Sequence, residues 1–263
     1  MTVTPTDRAG SGPATGPTAA LASVASMAPI LRTVYRLLLH RVATRGRLLA
    51  VGALSVASLA SAVAVTLSAP LDSLGTATAF ADGALSTLLP VAVLVFGAGT
   101  LGDLLDDGSL VYLWLRPVPS WVHVLAAWAA TVTIAVPLVG VPTVVATSTI
   151  DPDPALLVGT MIAATLAIAC YAALFVTVGI VVRRALPWGL AYILIWEGFV
   201  ASAGETAARL AVRSYLRSIL TQQTGVFLDL AEFNLASGVI VPPVVTVVAL
   251  AVASRRLARA DVA

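Results

Sequence analysis

The sequence predicts an all-α, polytopic integral membrane protein with six transmembrane helices, and three observations carry this prediction. Hydrophobic residues make up 59% of the 263 residues and charged residues only 11%, which is far more apolar than a soluble globular domain. The apolar residues fall into six stretches, each long enough to cross a bilayer. The arginines gather at alternate ends of these stretches, as expected for cytoplasmic flanks.

The composition excludes several classes of protein. All 15 Lys and Arg residues are arginine, so the chain has no lysine for a P-loop or a Schiff base and cannot be a self-sufficient Walker-type ATPase. The single cysteine, Cys170, allows neither an internal disulfide nor a thiolate metal cluster, and its apolar surroundings predict a small buried residue. No nucleic acid partner is expected, because the arginines lack interleaved stacking residues.

The amino-terminal part divides into a tail and a basic helix. Residues 1–28 are rich in Thr, Ala, Gly, Ser and Pro, and predict a disordered tail before a membrane domain at 29–263. From Pro29 to Arg47, basic residues recur on one side and apolar residues on the other. We expect an interfacial amphipathic helix on the membrane surface, rather than a plain basic flank, because the apolar side is continuous. Its basic side carries Arg32, Arg36, His40 and Arg41.

The apolar stretches are long enough to cross about 30 Å of hydrocarbon as helices. The predicted spans are 48–69, 84–102, 122–148, 155–182, 186–203 and 236–254. With the amino terminus in the cytoplasm, twelve of the fifteen arginines lie on the cytoplasmic side, so both termini are predicted to be cytoplasmic. The three predicted on the outer side are Arg209, Arg213 and Arg217.

The connection between the second and third spans is unusual because it places acid where arginine is expected. Residues 101–120 read LGDLLDDGSLVYLWLRPVPS and contain three aspartates. Acidic residues favour a helix start, so a short helix could begin near Asp107 or Ser109 and end before Pro117. From the residues alone, this capping role is as good an explanation as a surface for a partner protein.

The same segment resembles a known family. The run D-D-G-S-L-x-x-L-x-x-R-P-V is similar to the pattern acid-x-G-[ST]-L-x-x-L-x-x-R-P-[VI] between the second and third spans of ABC-2 type permeases, the membrane subunits of bacterial ABC exporters. The resemblance implies a coupling helix that docks into a separate ATPase subunit, which would bind ATP and Mg. The residues it assigns to ATPase coupling are Asp103, Asp106, Asp107, Gly108, Ser109, Leu110, Leu113, Arg116 and Pro117.

A second resemblance lies downstream. Permeases of this family commonly carry Trp-Glu-Gly in the fifth span and a Ser-x-x-Tyr-like pattern after it, and Trp196, Glu197, Gly198, Ser214 and Tyr215 occupy those places. The family also implies pairing with a second permease, as a homodimer or a heterodimer, within a bacterial inner membrane and in contact with its lipid. No bond chemistry and no cofactor are expected on this chain.

Glu197 is the only ionisable residue predicted well inside a span. A charged carboxylate facing lipid there would cost at least about 2.5 kcal/mol on insertion scales, so we expect it to face the bundle, a dimer seam or a water-filled route. It would either line the substrate path or hydrogen-bond neighbouring groups, and the sequence leaves both roles open. Between the fifth and sixth spans, the spacing of the three outer arginines predicts a short external helix with a solvated or headgroup-facing basic stripe.

We therefore expect the permease subunit of an ABC exporter, which forms the substrate translocation path. Two alternatives from other classes remain at this point. One is a secondary transporter that uses Glu197 as its coupling-ion site, although no inverted repeat is evident. The other is a membrane scaffold that transports nothing. A membrane enzyme has few catalytic groups to draw on, because the spans hold no clustered acids.

Overall fold

A computed structural model describes residues 17–106, 118–200, 205–229 and 233–260 of the chain. Helices account for nearly all of these residues, and no β-strand occurs among them. The α-helices are α1 Pro17–Val42, α2 Arg45–Leu67, α3 Ser73–Gly83, α4 Leu89–Asp106, α5 Ser120–Ala135, α6 Val141–Ile150, α7 Pro154–Val181, α8 Ala185–Ala191, α9 Glu205–Ala208, α10 Val212–Thr224 and α11 Leu235–Ala260. Three π-helical turns continue α3, α5 and α8; they are Ala84–Leu88, Val136–Gly140 and Tyr192–Glu197.

Five helical segments are long and apolar enough to cross a membrane, which indicates a membrane-embedded protein. They correspond to the first four and the last of the six predicted spans. These segments are Arg45–Leu67, Ser73–Gly102, Ser120–Ile150, Pro154–Val181 and Leu235–Arg259.

The second spanning segment is longer than predicted. It begins at Ser73 rather than at residue 84, because Asp72 caps the helix: its Oδ1 accepts a hydrogen bond of 2.8 Å from the amide of Gly75. The residues that follow are mostly small and compatible with a helix. Because they mix polar and apolar types, hydropathy alone does not assign them to the span. Asp82 consequently lies within the helical segment and not in a loop before it.

The predicted fifth span, 186–203, is not confirmed. The helix that begins at Ala185 continues through its π-helical turn only to Glu197, and Gly198 follows in a turn. Thirteen helical residues rise about 20 Å, which is less than the thickness of the hydrocarbon core. Residues 201–203 of the predicted span lie outside the described residues.

Helices α4 and α7 form the centre of the bundle, and glycines allow them to approach closely. A methyl group added at Gly179 would lie 2.7 Å from the carbonyl oxygen of Ala98, and one at Gly97 would lie 3.1 Å from Cβ of Phe175. The backbones of Gly102 and Gly179 also meet. The two helices thus run side by side through the core, where Phe175 is fully buried.

Proline interrupts the third spanning segment without exposing its backbone. Pro142 has no N–H, so it cannot donate to the carbonyl of Leu138 as an α-helix requires. Ser55 on α2 lies 2.6 Å from that carbonyl oxygen and donates to it instead. The chain thereby satisfies a part-buried acceptor with a neighbouring helix, which is how a membrane bundle tolerates a proline.

The amino-terminal helix differs from its predicted bounds at both ends. It begins at Pro17, so residues 17–28, assigned by composition to the disordered tail, belong to α1. Their alanine-rich sequence favours a helix more than the overall composition indicates. At the other end α1 stops at Val42 instead of Arg47, because Thr44 caps α2 by accepting from the amide of Arg47. Residues 1–16 lie outside the described residues.

Helix α1 has a buried side and an exposed side. Leu38 and Val42 are buried, and the hydroxyl of Tyr35 donates to Oγ1 of Thr133 on α5 over 3.1 Å. The apolar side therefore packs on protein, while Ile30 and Leu37 remain exposed. The predicted basic residues are all exposed; they are Arg32, Arg36, His40 and Arg41. Placement of this helix at a membrane surface stays a prediction.

Candidate functional site

The most polar part of the described interior lies where α8 and its π-helical turn end and α10 begins. Glu197 closes the π-helical turn, and Val212 opens α10 fifteen residues later. Helix α10 packs against α7 and α11, and its side chains are buried at Ser214, Leu216 and Arg217. A set of charged groups is thereby enclosed among apolar helices.

Glu197 binds the beginning of α10 through its carboxylate. Its Oε1 accepts hydrogen bonds from the hydroxyl of Tyr192 at 2.9 Å and from the amide of Val212 at 3.2 Å. Its Oε2 accepts from the amide of Arg213 at 3.1 Å. The residue at the N-cap position is Ala211, which has no side-chain acceptor, so Glu197 takes the place of the missing cap. The positive end of the helix dipole also favours this negative charge.

An aromatic wall surrounds this carboxylate. The rings of Tyr171 and Phe175 stack with centroids 5.9 Å apart, and Phe175 meets Tyr192 edge to face at 6.4 Å. Tyr171 is fully buried, and its hydroxyl forms no hydrogen bond with any residue that the structure describes. The wall excludes water from Glu197, whose side chain is only 1% exposed, and so strengthens the hydrogen bonds that hold it.

Arg213 links the two short helices a second time. Its Nη1 donates to the backbone carbonyl of Glu197 at 3.2 Å. Its Nε is buried and has no hydrogen-bond partner within the described ranges. The side chain of Arg213 therefore binds the backbone of Glu197, and the side chain of Glu197 binds the backbone amide of Arg213.

A buried ion pair fastens α10 to α3. The guanidinium of Arg217 donates twice to Asp82, from Nε to Oδ1 at 2.7 Å and from Nη2 to Oδ2 at 2.6 Å. Its Nη1 donates to the backbone carbonyl of Asp229 at 2.9 Å, and Ser86 also donates to Asp82. The side chains of the pair are 11% and 13% exposed. This bidentate geometry is the strong form of an arginine–carboxylate contact.

The expected basic stripe on this helix is therefore not uniformly solvated. Arg209 is exposed, Arg213 is half-buried, and Arg217 is buried in its ion pair. The role of Asp82 was not predicted, because a span starting at residue 84 placed this acid in a loop. A signal was present: Asp82 is the only acid between Asp72 and Asp103, in an otherwise apolar stretch.

The predicted ATPase-coupling residues fall mostly beyond the described part of the chain. Asp103 and Asp106 lie in the last turn of α4, and their side chains are not described. The remaining coupling residues lie outside the described residues; they are Asp107, Gly108, Ser109, Leu110, Leu113, Arg116 and Pro117. The coupling prediction therefore stays a prediction.

The arrangement around Glu197 holds backbone in place and offers no evident reactive centre. Each carboxylate oxygen already has a donor, so the contacts support the hydrogen-bonding role for Glu197 over a role in the substrate path. Among the described residues, no group of three or more His, Cys, Asp and Glu side chains is placed to hold a metal ion.

In comparisons with known proteins, the chain matches no family model and no curated protein. Its function is therefore argued from its own residues and contacts.

Proposed function

We propose that this chain is the permease subunit of an ABC exporter, which pairs with a second permease and is driven by a separate ATPase subunit. The observation that carries the proposal is the acid-x-Gly-Ser-Leu…Arg-Pro-Val segment between α4 and α5, together with the place where that segment leaves and re-enters the bundle. A coupling segment has to protrude from the cytoplasmic end of the bundle, where an ATPase can reach it.

The flanks of this segment both lie at the arginine-rich end of the bundle. Gly102 at the end of α4 touches Gly179, which precedes the two arginines after α7. Ser120 at the start of α5 donates to the carbonyl of Ser254, which precedes the arginines that end α11. The arginines gathered at this end are Arg45, Arg47, Arg183, Arg184, Arg255, Arg256 and Arg259. This concentration of positive charge supports a cytoplasmic location for the end that carries the acidic segment.

We propose that the two short helices together form a sixth crossing. Gly189 on α8 lies against Leu94 in the middle of the α4 segment, and Glu197 then binds the start of α10. At the other end of α10, Gln223 lies 3.1 Å from a methyl group added at Gly159, near the beginning of α7. The path from Ala185 to Thr224 thus leads from the arginine-rich end to the opposite end.

We infer a discontinuous transmembrane helix, a form that membrane transporters use where irregular backbone is shielded by protein. With this crossing, both termini lie on the cytoplasmic side, and the predicted external helix becomes the outer half of the fifth span. On the two sides of the break, Glu197 accepts from the amides of Val212 and Arg213, and Arg213 donates to the carbonyl of Glu197, which gives these polar residues a role at this depth.

In this function the chain performs no bond chemistry. ATP binding would bring two ATPase subunits together, and the segment around residues 103–117 would transmit that movement to α4. The tight α4–α7 contact would carry it further as a rigid pair. Such coupling requires that the nucleotide-bound and nucleotide-free ATPase contact the segment differently, since a partner with equal contacts in both states shifts nothing.

The test is charge reversal in the acidic segment. We expect the double substitution Asp106→Arg and Asp107→Arg to reduce recovery of the co-expressed ATPase about tenfold or more in affinity purification, because like charge opposes docking. Membrane insertion should be unchanged. The matched control is Asp229→Arg, an exposed acid at the opposite end of the bundle.

Equal recovery of the ATPase from the double variant and the control would contradict the docking assignment. Transport that continues after deletion of the ATPase would contradict the whole proposal and support the secondary transporter.

A further inference from the structure

A cavity of about 310 Å³ lies beside the helix break, between the short helices and α11. Its apolar wall includes Leu174 from α7 and Val241 and Val245 from α11, and its polar groups come from Tyr192, Arg209 and Tyr215. The lining thus combines hydrocarbon side chains with one arginine and two tyrosines. This pairing of surfaces is typical of sites for amphiphilic ligands.

The polar side of the cavity is held in a defined shape. The hydroxyl of Tyr215 donates to the backbone carbonyl of Arg209 at 2.8 Å, and its ring stacks on Phe233 with centroids 4.6 Å apart. Tyr192 is bound to Glu197. The hydrogen bonds of the break therefore fix the cavity, which exists because the chain leaves the helix after Glu197 and returns at Val212.

The cavity lies at membrane depth. Val241 and Val245 follow the start of α11 by six and ten residues, which corresponds to about 9 and 15 Å along the helix. Leu174 is likewise well inside α7, which runs from Pro154 to Val181. A ligand in the cavity would thus enter from the bilayer or from a route within the protein, with its apolar part along these three side chains.

Arg209 is the group that defines the ligand. Its side chain is exposed and forms no ion pair with any described residue, unlike that of Arg217 eight residues later. An arginine at this depth is costly unless water or an anion accompanies it. The charge and the apolar wall together select a molecule that has an anionic head and a hydrocarbon tail.

We propose that this cavity binds a single-chain anionic amphiphile, with its headgroup at Arg209 and its chain against Leu174, Val241 and Val245. The volume lies at the lower end of the range for small-molecule pockets, which favours one acyl chain over a two-chain lipid. The inference rests on the proposed discontinuous crossing but needs no ATPase. It therefore identifies a ligand class that the proposed function leaves open.

The test is binding to the full-length protein in a neutral detergent, followed by native mass spectrometry. The probes are lysophosphatidylglycerol and lysophosphatidylcholine of equal chain length. The wild type should prefer the anionic probe by about tenfold or more, as expected for a charge-assisted contact. Arg209→Gln should abolish the preference and Arg209→Lys should keep most of it. Arg255→Gln, an exposed arginine elsewhere on α11, should leave it unchanged.

A second variant tests the cavity itself. Val245→Trp should fill the apolar part and weaken both probes to a similar degree. Retention of the preference by Arg209→Gln, or unchanged binding of both probes by Val245→Trp, would overturn the proposal. Gel filtration of each variant establishes that it is folded, and a variant that fails this control is replaced by Val241→Trp or Arg209→Met.

The source of the ligand is decided by two further measurements. Loss of co-purified anionic lipid from Arg209→Gln would identify a bilayer lipid. Stimulation of ATP hydrolysis by lysophosphatidylglycerol in the assembled complex, without co-purified lipid, would identify a transported substrate. If no ATPase assembles, the proposed function fails while the binding result still stands.

Discussion

Helices α1 and α10 have the same sequence pattern, but their basic residues differ in exposure. Each places a basic residue at every fourth position beside apolar residues, and spacing predicts a basic stripe on both. On α1 the basic residues are all exposed. Around α10 the stripe passes from exposed Arg209, in the turn before the helix, through half-buried Arg213 to Arg217, which is buried against Asp82.

The difference lies in the partners that the fold supplies. Around α10, Asp82 and Glu197 approach from other elements and satisfy the buried guanidinium and the helix start. Asp82 is 135 residues from Arg217 along the chain. Helical spacing therefore indicates which face of a helix a residue occupies. Whether a basic residue on that face can be buried depends on whether the fold places an acid from a distant part of the sequence beside it.

The largest effect should come from breaking the buried ion pair. Arg217→Met leaves Asp82, whose side chain is 13% exposed, without its bidentate partner, and the cost should approach the ~3–5 kcal/mol typical of a fully buried pair. The midpoint of thermal unfolding in detergent should fall by more than for any other arginine variant of α10. The measurement is loss of helical circular dichroism with temperature.

A double substitution refines this prediction. Asp82→Leu combined with Arg217→Met removes both charges, and should recover most of the lost stability because no uncompensated charge remains. A double variant as unstable as Arg217→Met would show that packing, and not the ion pair, distinguishes this end of α10.

An intermediate effect is expected at the helix break. Glu197→Gln keeps one acceptor oxygen but places an amide where the other oxygen accepted a backbone N–H, so one buried donor loses its partner, at a cost of about 1–3 kcal/mol. The unfolding midpoint should fall less than for Arg217→Met. Assembly with the ATPase should persist.

Transport by the assembled Glu197→Gln complex distinguishes the two roles that the sequence left open. Activity in proportion to the folded fraction supports the hydrogen-bonding role. Loss of transport in a fully folded, fully assembled complex would instead assign Glu197 to the substrate path.

The smallest effect should come from α1. Arg36→Gln removes an exposed charge, and such surface substitutions usually change stability by less than about 0.5 kcal/mol. Its unfolding midpoint should match that of the wild type in the same detergent. A fall comparable to that of Arg217→Met would mean that α1 and α10 differ less than their contacts indicate.

The sequence predicted five of the spanning segments because hydropathy and length are local properties. It misplaced the start of the second, since the cap at Asp72 precedes residues of mixed polarity. It did not foresee the end of the helix at Glu197, because 186–203 is predominantly apolar and that residue is its only charged one. It also placed the end of α1 at Arg47, whereas the end at Val42 depends on the cap formed by Thr44.

The sequence by itself determined that this protein is helical and embedded in a membrane, and where most of its helices lie. Those features follow from the composition and periodicity of short stretches, which hold in any arrangement of the helices. Only the tertiary structure decided that Asp82 pairs with Arg217 and that Glu197 caps α10. A buried charge is stable only beside its partner, and that partner is brought by a different helix, so no local pattern identifies it.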